Sequence, residues 1–391
     1  MGGLVHGRAD GWAPTTISIK GDRIAGLNEG GGSGRTINVS GLYLLPGMID
    51  CHVHLVMRGE DADPSANASR SDAEIAAYAA EAASRTLLAG FTSVRDVGGW
   101  NHLEMELRTA IERGDRIGPR LFLAGRLLSM PTEAVAYYPG MYEVASGPRD
   151  VRAAAIRQLD RGADVVKVMA TGSMLSPEGE DAGATQFGPE ELRTVVEAAR
   201  SYGKPVAAHA HAAQGIRAAV DAGVASIEHG TYADQAVLGM MAQRGVFLVP
   251  TLCTATSLFR NQEIVRAMPS HLRERLADSA ATHVAAMRLA RRLGVPIAMG
   301  TDAGTPGNHH GRNAEECVAM VQEMGMTPEE AILAATADAA RLLWHDRDVG
   351  ALEPGHFADV IGLRADPFGD PTELTRVAFV MKGGIVFKDE R

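Results

Sequence analysis

The segment PGMIDCHVH closes an apolar run with His52 and His54 two residues apart. On a strand, alternate side chains share a face, so both imidazoles project the same way. Neutral imidazoles so placed can chelate a divalent ion, although an isolated pair serves a structural role equally well. Support comes from further along the chain. VVKVMATG sets Lys167 among apolar residues, where an unpaired ammonium is costly. A salt bridge to a neighbouring acid is one explanation. The other is that desolvation leaves a neutral amine able to take up carbon dioxide, giving a carbamate that can bridge two metals. PVAAHAH supplies His209, SIEHG supplies His229 and AMGTDAG supplies Asp302, each at the end of its own short apolar run. Singly, a buried His is more often a core residue, and an Asp before Gly is commonly a turn.

These residues need a scaffold that brings distant strand ends together. Apolar runs at 44–50, 93–97, 121–125, 165–170, 206–209, 226–229, 247–250 and 297–302 alternate with amphipathic segments. Those segments cover 73–89, 102–113, 150–159, 189–202, 215–222, 234–243 and 271–293, with apolar residues at three- and four-residue steps. Alternation of this kind is the mark of βα units and a parallel sheet. Pro189 and Glu190 start one helix, and Thr327 with Glu330 forms a capping box for a last helix at 328–343. The expected fold is α/β, a (β/α)8 TIM-like barrel over 45–348. Its strand C-terminal ends carry function, and strands one, four, five, six and eight each end in a ligand-type residue. Residues 1–44 and 349–391 read as one small β-sandwich domain built from both termini. There TISIKGDRIAGL should pair with ADVIGL and VAFVMKGGIVFKD, with turns at Gly21-Asp22 and Gly383-Gly384. The long segments 61–71 and 129–147 are expected to be lids.

Bulk properties narrow the partners. Hydrophobic residues make up 46% of the chain and aromatics 5%, which suits a close-packed α/β interior. A formal charge of −10, with no long basic run, argues against nucleic acid and for a small-molecule substrate. Cys51, Cys253 and Cys317 are odd in number and far apart, so neither a disulfide framework nor a zinc knuckle is expected. The start of the chain carries His6 and Arg8 before any apolar run, and no stretch of about 18 apolar residues occurs. A soluble, cytoplasmic protein without membrane contact is the expectation.

The order HxH, Lys, His, His, Asp resembles the amidohydrolase superfamily. The likeness spans nearly the whole chain, through LLPGMIDCHVH, TSVRDVGG, VKVMATGSMLSP, GATQFGPEEL, VAAHAHAAQGIRAAVDAGVASIEHG and GTDAGTP. It is strongest to the branch of Xaa-Pro dipeptidases and imidazolonepropionase-like enzymes. The resemblance implies two divalent ions, zinc by default with manganese or iron also suitable. His52, His54 and Asp302 would hold one, His209 and His229 the other, with Lys167 carboxylated by CO2 between them. It implies hydrolysis of an amide, peptide or cyclic amide C–N bond by a metal-bound hydroxide, as in a dipeptidase or N-acyl amino acid hydrolase. Asp302 would deprotonate the water and return the proton to the leaving amine.

His211 competes with His209 for the fifth-strand ligand position. In relatives the corresponding residue can be a substrate-contacting Tyr, so His211 is assigned to substrate. Dipeptidase-like relatives often carry Gly-Gly-His after strand three, whereas this chain has GRLLSMPTEAVAYYPG, whose Tyr137 and Tyr138 could stack on substrate or pack a lid. Arg95 and Arg126 are candidates for holding a substrate carboxylate. His309 and His310 follow strand eight, and His310 is expected to face the site. The resemblance permits a homo-oligomer. Two other readings stand beside it: the same centre used for phosphoester or carboxylester hydrolysis, elimination or decarboxylation, and a scaffold without chemistry, which should have lost its ligands.

Overall fold

A computed structural model describes residues 16–28 and 34–391, together with the backbone of 3–4 and 13–14. His6 and Arg8, and parts of the N-terminal strand region, lie outside the described residues. The barrel strands are Met48–Val53, Phe91–Asp96, Arg120–Leu123 continuing at Leu127–Ser129, Val166–Met169, Val206–Ala212, Ser226–Tyr232 and Phe247–Val249. Every ladder between them is parallel. Helices such as Asp72–Leu88, Pro189–Ser201 and Ala213–Ala222 cover the outside through Ile75, Val195 and Ile216.

The expected eighth strand makes no ladder. Residues 297–302 close the barrel through isolated bridges at Leu248–Ile297 and Val53–Ala303. Backbone bonds from Cys51 N to Met299 O (2.9 Å), Ala298 N to Leu248 O (3.1 Å) and Asp302 N to His52 O (2.7 Å) complete the closure. Fully buried Asp50 reinforces it, accepting from His52 N, Thr301 N, Thr301 Oγ1 and Asn313 Nδ2 at 2.6–3.1 Å. One short carboxylate thus ties the first strand to the last.

Three boundaries differ from the sequence expectation. The run 44–50 divides at Gly47, where a Cβ would sit 2.1 Å from Thr92 Oγ1. Tyr43–Pro46 joins the terminal sheet and Met48–Val53 the barrel. The last helix is two, Pro328–Ala334 and Ala337–Leu343. It breaks where the carbonyls of Ala334 and Ala335 turn to accept from Met299 N and Ile49 N at the bottom of the barrel. The hairpin Ile17–Lys20 and Arg23–Leu27 forms its own two-stranded sheet rather than a ladder with ADVIGL. Val360–Leu363, buried throughout, pairs instead with Tyr43–Pro46 and Phe379–Lys382. Ile24, Leu44, Val360 and Phe379 fill the space between the two sheets.

The lid segments are ordered. Pro64–Ser69 is a 3-10 helix. Within 129–147 lie the helix Ala134–Tyr137 and the strand Tyr142–Val144, the latter parallel to Leu127–Ser129. The cysteines are buried and free, and among the described residues no helix is long and apolar enough to cross a membrane.

Candidate metal centre

Strand alternation sends His52 and His54 into the barrel mouth, and one nitrogen of each ring is held from behind. Nδ1 of His52 lies 2.8 Å from Glu228 Oε2, and Nδ1 of His54 lies 3.0 Å from Gly98 O. That leaves both Nε2 atoms facing Asp302 Oδ1, each at 3.3 Å. Oδ1 is buried and finds no hydrogen bond among the described residues. Asp302 itself has φ 61°, a left-handed conformation that turns its carboxylate out of the strand direction.

The second group of imidazoles stands beside the first. His229, at φ 70°, breaks strand alternation and bonds through Nδ1 to Thr251 Oγ1 at 2.8 Å. His209 bonds through Nε2 to Gly172 O at 2.9 Å, and His211 through Nδ1 to Thr231 Oγ1 at 2.8 Å. Each ring keeps one nitrogen free of these bonds. His209, His211 and His229 present ligand atoms within 4.8 Å of one another, as do His52, His229 and Asp302. The fifth-strand ligand position is therefore shared by two candidates of similar reach, His209 and His211.

Lys167, 1% exposed, lines the same cavity and has no hydrogen-bond partner among the described residues. Burial pushes its ammonium down to about 8, against the pull of Glu228. Burial, and then the charge of Lys167, lowers His209 to about 3. Burial likewise holds His211 and His229 well below the ordinary imidazole range, reinforced by His209. For Asp302, burial acts upward, but His52 and His54 outweigh it and keep the carboxylate ionised. Buried imidazoles, one ionised carboxylate and an unpaired buried amine converge on one cavity. That donor set fits divalent metal.

Several supporting residues carried no sequence signal of their own. Glu228 precedes His229 and bonds His52, Arg95 Nη2 at 2.8 Å and 3.0 Å, and Ser226 Oγ. Burial opposes its ionisation, yet Arg95 and His52 hold it well below the carboxylate range. Thr231, Thr251 and the carbonyls of Gly98 and Gly172 set the orientation of the rings. Partners of this kind fix imidazole tautomers in metal sites.

Other assignments move. Arg95 is buried inside the barrel with donors on Glu228, Ser226 and Cys51 O, and it does not line the cavity. His310 packs behind the site, with Nε2 3.2 Å from His54 O, and does not line the cavity. Tyr138 lines the cavity, while Tyr137 packs beside it at a ring separation of 6.3 Å. Arg126 is spent on the carbonyls of Gly140 and Pro139 and on Asn101, pinning the lid. His309 faces Glu60 at 3.4 Å.

A parallel barrel with such a donor set at its strand ends defines a metal-dependent hydrolase. The chain belongs to the amidohydrolase family, whose sequence model matches residues 43–386. Ochratoxinase of Aspergillus niger is 35% identical over 376 residues, covering 88% of this chain and 75% of that protein. Imidazolonepropionase of Nocardia farcinica is 26% identical over 352 residues, covering 84% and 79%. A solved Xaa-Pro dipeptidase with methionine in its active site superposes with a TM-score of 0.89 at 33% identity, covering 99% of this chain and 98% of that one.

Proposed function

We propose that this chain hydrolyses a C–N bond of a small amide, using His52, His54 and Asp302 for one divalent ion and His209 and His229 for a second, with carboxylated Lys167 between. The observation that carries this reading is the convergence of His52 Nε2 and His54 Nε2 on the buried Asp302 Oδ1. The ochratoxinase, imidazolonepropionase and dipeptidase relatives support a C–N bond as the target. Zinc is the ion we propose, since imidazole-rich sites suit it.

Bound divalent ions supply Lewis-acid polarisation of the scissile carbonyl and lower the pKa of water. The protein's own part is proton handling and orientation. Asp302 takes a proton from the attacking water and delivers it to the nitrogen of the leaving amine, so that amide and water become acid and amine. Glu228, Thr231 and Thr251 hold the imidazoles in place while it does so. For Lys167, the neutral amine adds to carbon dioxide and releases one proton, leaving an anionic carbamate. Its burial and lack of partner support that chemistry.

Chelator treatment is expected to abolish amide hydrolysis, with recovery requiring both zinc and bicarbonate. Undiminished turnover in verified metal-free protein would overturn the proposal. For the fifth strand we assign His209 as ligand and His211 to substrate. His209→Ala should lose about one equivalent of metal per chain while His211→Ala retains it and raises KM. Metal loss in His211→Ala alone would exchange the two roles.

We also propose that the terminal segments, joined through Tyr43–Pro46 and Val360–Leu363, act as a unit separate from the barrel. The buried free cysteines support a reducing compartment such as the cytoplasm.

A further inference from the structure

Resting on the hydrolase reading above, we propose that the site takes an uncharged amide bearing a bulky apolar group, and that His283 accepts a hydrogen bond from this substrate. Besides the metal-type residues, the cavity is lined by the apolar side chains of Met57, Met141, Met169, Met174, Leu258 and Leu276. Among the residues lining it, Lys167 is the one Lys or Arg, and the proposed metal chemistry already claims it.

Three guanidinium groups of the barrel and its lid are committed elsewhere. Arg95 is paired with Glu228 inside the barrel. Arg126 holds the lid carbonyls. Arg275 reaches the roof but spends its nitrogens on the carbonyls of Met174, Ser176, Pro177 and Glu180 at 2.9–3.3 Å. A carboxylate placed against the methionines and leucines would be desolvated without a counter-charge, and that is unfavourable. A neutral aryl or alkyl group gains there by burial instead.

His283, on the helix Ser270–Arg292, stands among these side chains, with Ser279 one turn earlier on the same helix. His283 is 6% exposed and lines the cavity, and its Nε2 is buried with no hydrogen-bond partner among the described residues. With its proton on Nδ1, the neutral ring offers this buried Nε2 as an acceptor. A substrate N–H or O–H satisfies it. The buried lone pair otherwise stays unmet, which is the arrangement by which polar groups discriminate among ligands.

The test is calorimetric titration of the zinc-loaded enzyme with N-benzoyl-phenylalanine amide and with its twin, N-benzoyl-phenylalanine. The amide is expected to bind at least about tenfold more tightly, the cost of an uncompensated carboxylate. His283→Ala should weaken the amide about fivefold to tenfold at unchanged metal content, with His283→Gln recovering part of the loss. Equal or tighter binding of the carboxylate twin overturns the substrate class, and unchanged binding in His283→Ala overturns the role of the histidine. Turnover is followed in parallel. Tight binding of the amide without hydrolysis would sink the hydrolase reading and leave the specificity standing.

Discussion

Asp302→Asn is expected to fold, to keep its metal and to lose turnover by a factor on the order of 10³. Asparagine is the informative replacement because the backbone at this position has φ 61°. Asn tolerates the left-handed region, so the variant avoids the backbone strain that alanine would add. Its amide oxygen can still face His52 and His54, whose Nε2 atoms now sit 3.3 Å from the carboxylate. What the amide cannot do is hold a proton between the attacking water and the leaving amine. Metal analysis, thermal denaturation and kcat on one preparation separate these points. Full activity with metal bound would remove Asp302 from proton transfer.

The second large effect is on stability and comes from a residue outside the proposed ligand set. Glu228→Gln leaves the guanidinium of Arg95, 2% exposed, without its carboxylate, and takes from His52 Nδ1 its anionic acceptor. Removing one partner of a buried ion pair costs about 3–5 kcal/mol. Loss of a partner that orients a metal-binding imidazole lowers metal affinity about 10–100-fold. Chemical denaturation of metal-free protein should show the first loss, and competition with a chromogenic chelator the second. The carboxylate of Glu228 is depressed in the folded state. Its stabilisation is therefore present above the unfolded carboxylate value of about 4.3 and fades as pH falls below it, so the gap between wild type and variant should narrow in acid. The double variant Glu228→Gln with Arg95→Met should be less destabilised than Glu228→Gln alone, because no buried charge is then stranded. A single-variant loss within about 0.5 kcal/mol, the range of an ordinary surface change, would contradict this account.

The two residues above mark how far the chain could be read by eye. The HxH pair, Lys167, His229 and Asp302 were legible because each ends an apolar run, and in a parallel barrel those ends meet. Glu228 was hidden because alternation gives it the face opposite His229. The positive φ at His229, a feature of the folded backbone, is what brings both toward the site from different sides. Arg95 was read as a substrate clamp from its place near the end of a strand, but the ladder with Arg120–Leu123 turns it inward, where Glu228 is waiting. Residues 297–302 looked like an ordinary strand, whereas closure of the barrel leaves them only isolated bridges. The break at 335–336 answers to backbone partners on Ile49 and Met299, far away in sequence. His283 sits mid-helix with no motif around it, and only the packing of that helix over the mouth gives it a place in the cavity.

Asp50 bears on how the enzyme matures. Because its carboxylate joins the first strand to residues 301 and 313 by three hydrogen bonds, the ends carrying His52, His54 and Asp302 are fastened together by the protein alone. On the proposed metal chemistry, folding and loading then become separate steps, and metal-free protein is expected to keep a cooperative thermal transition.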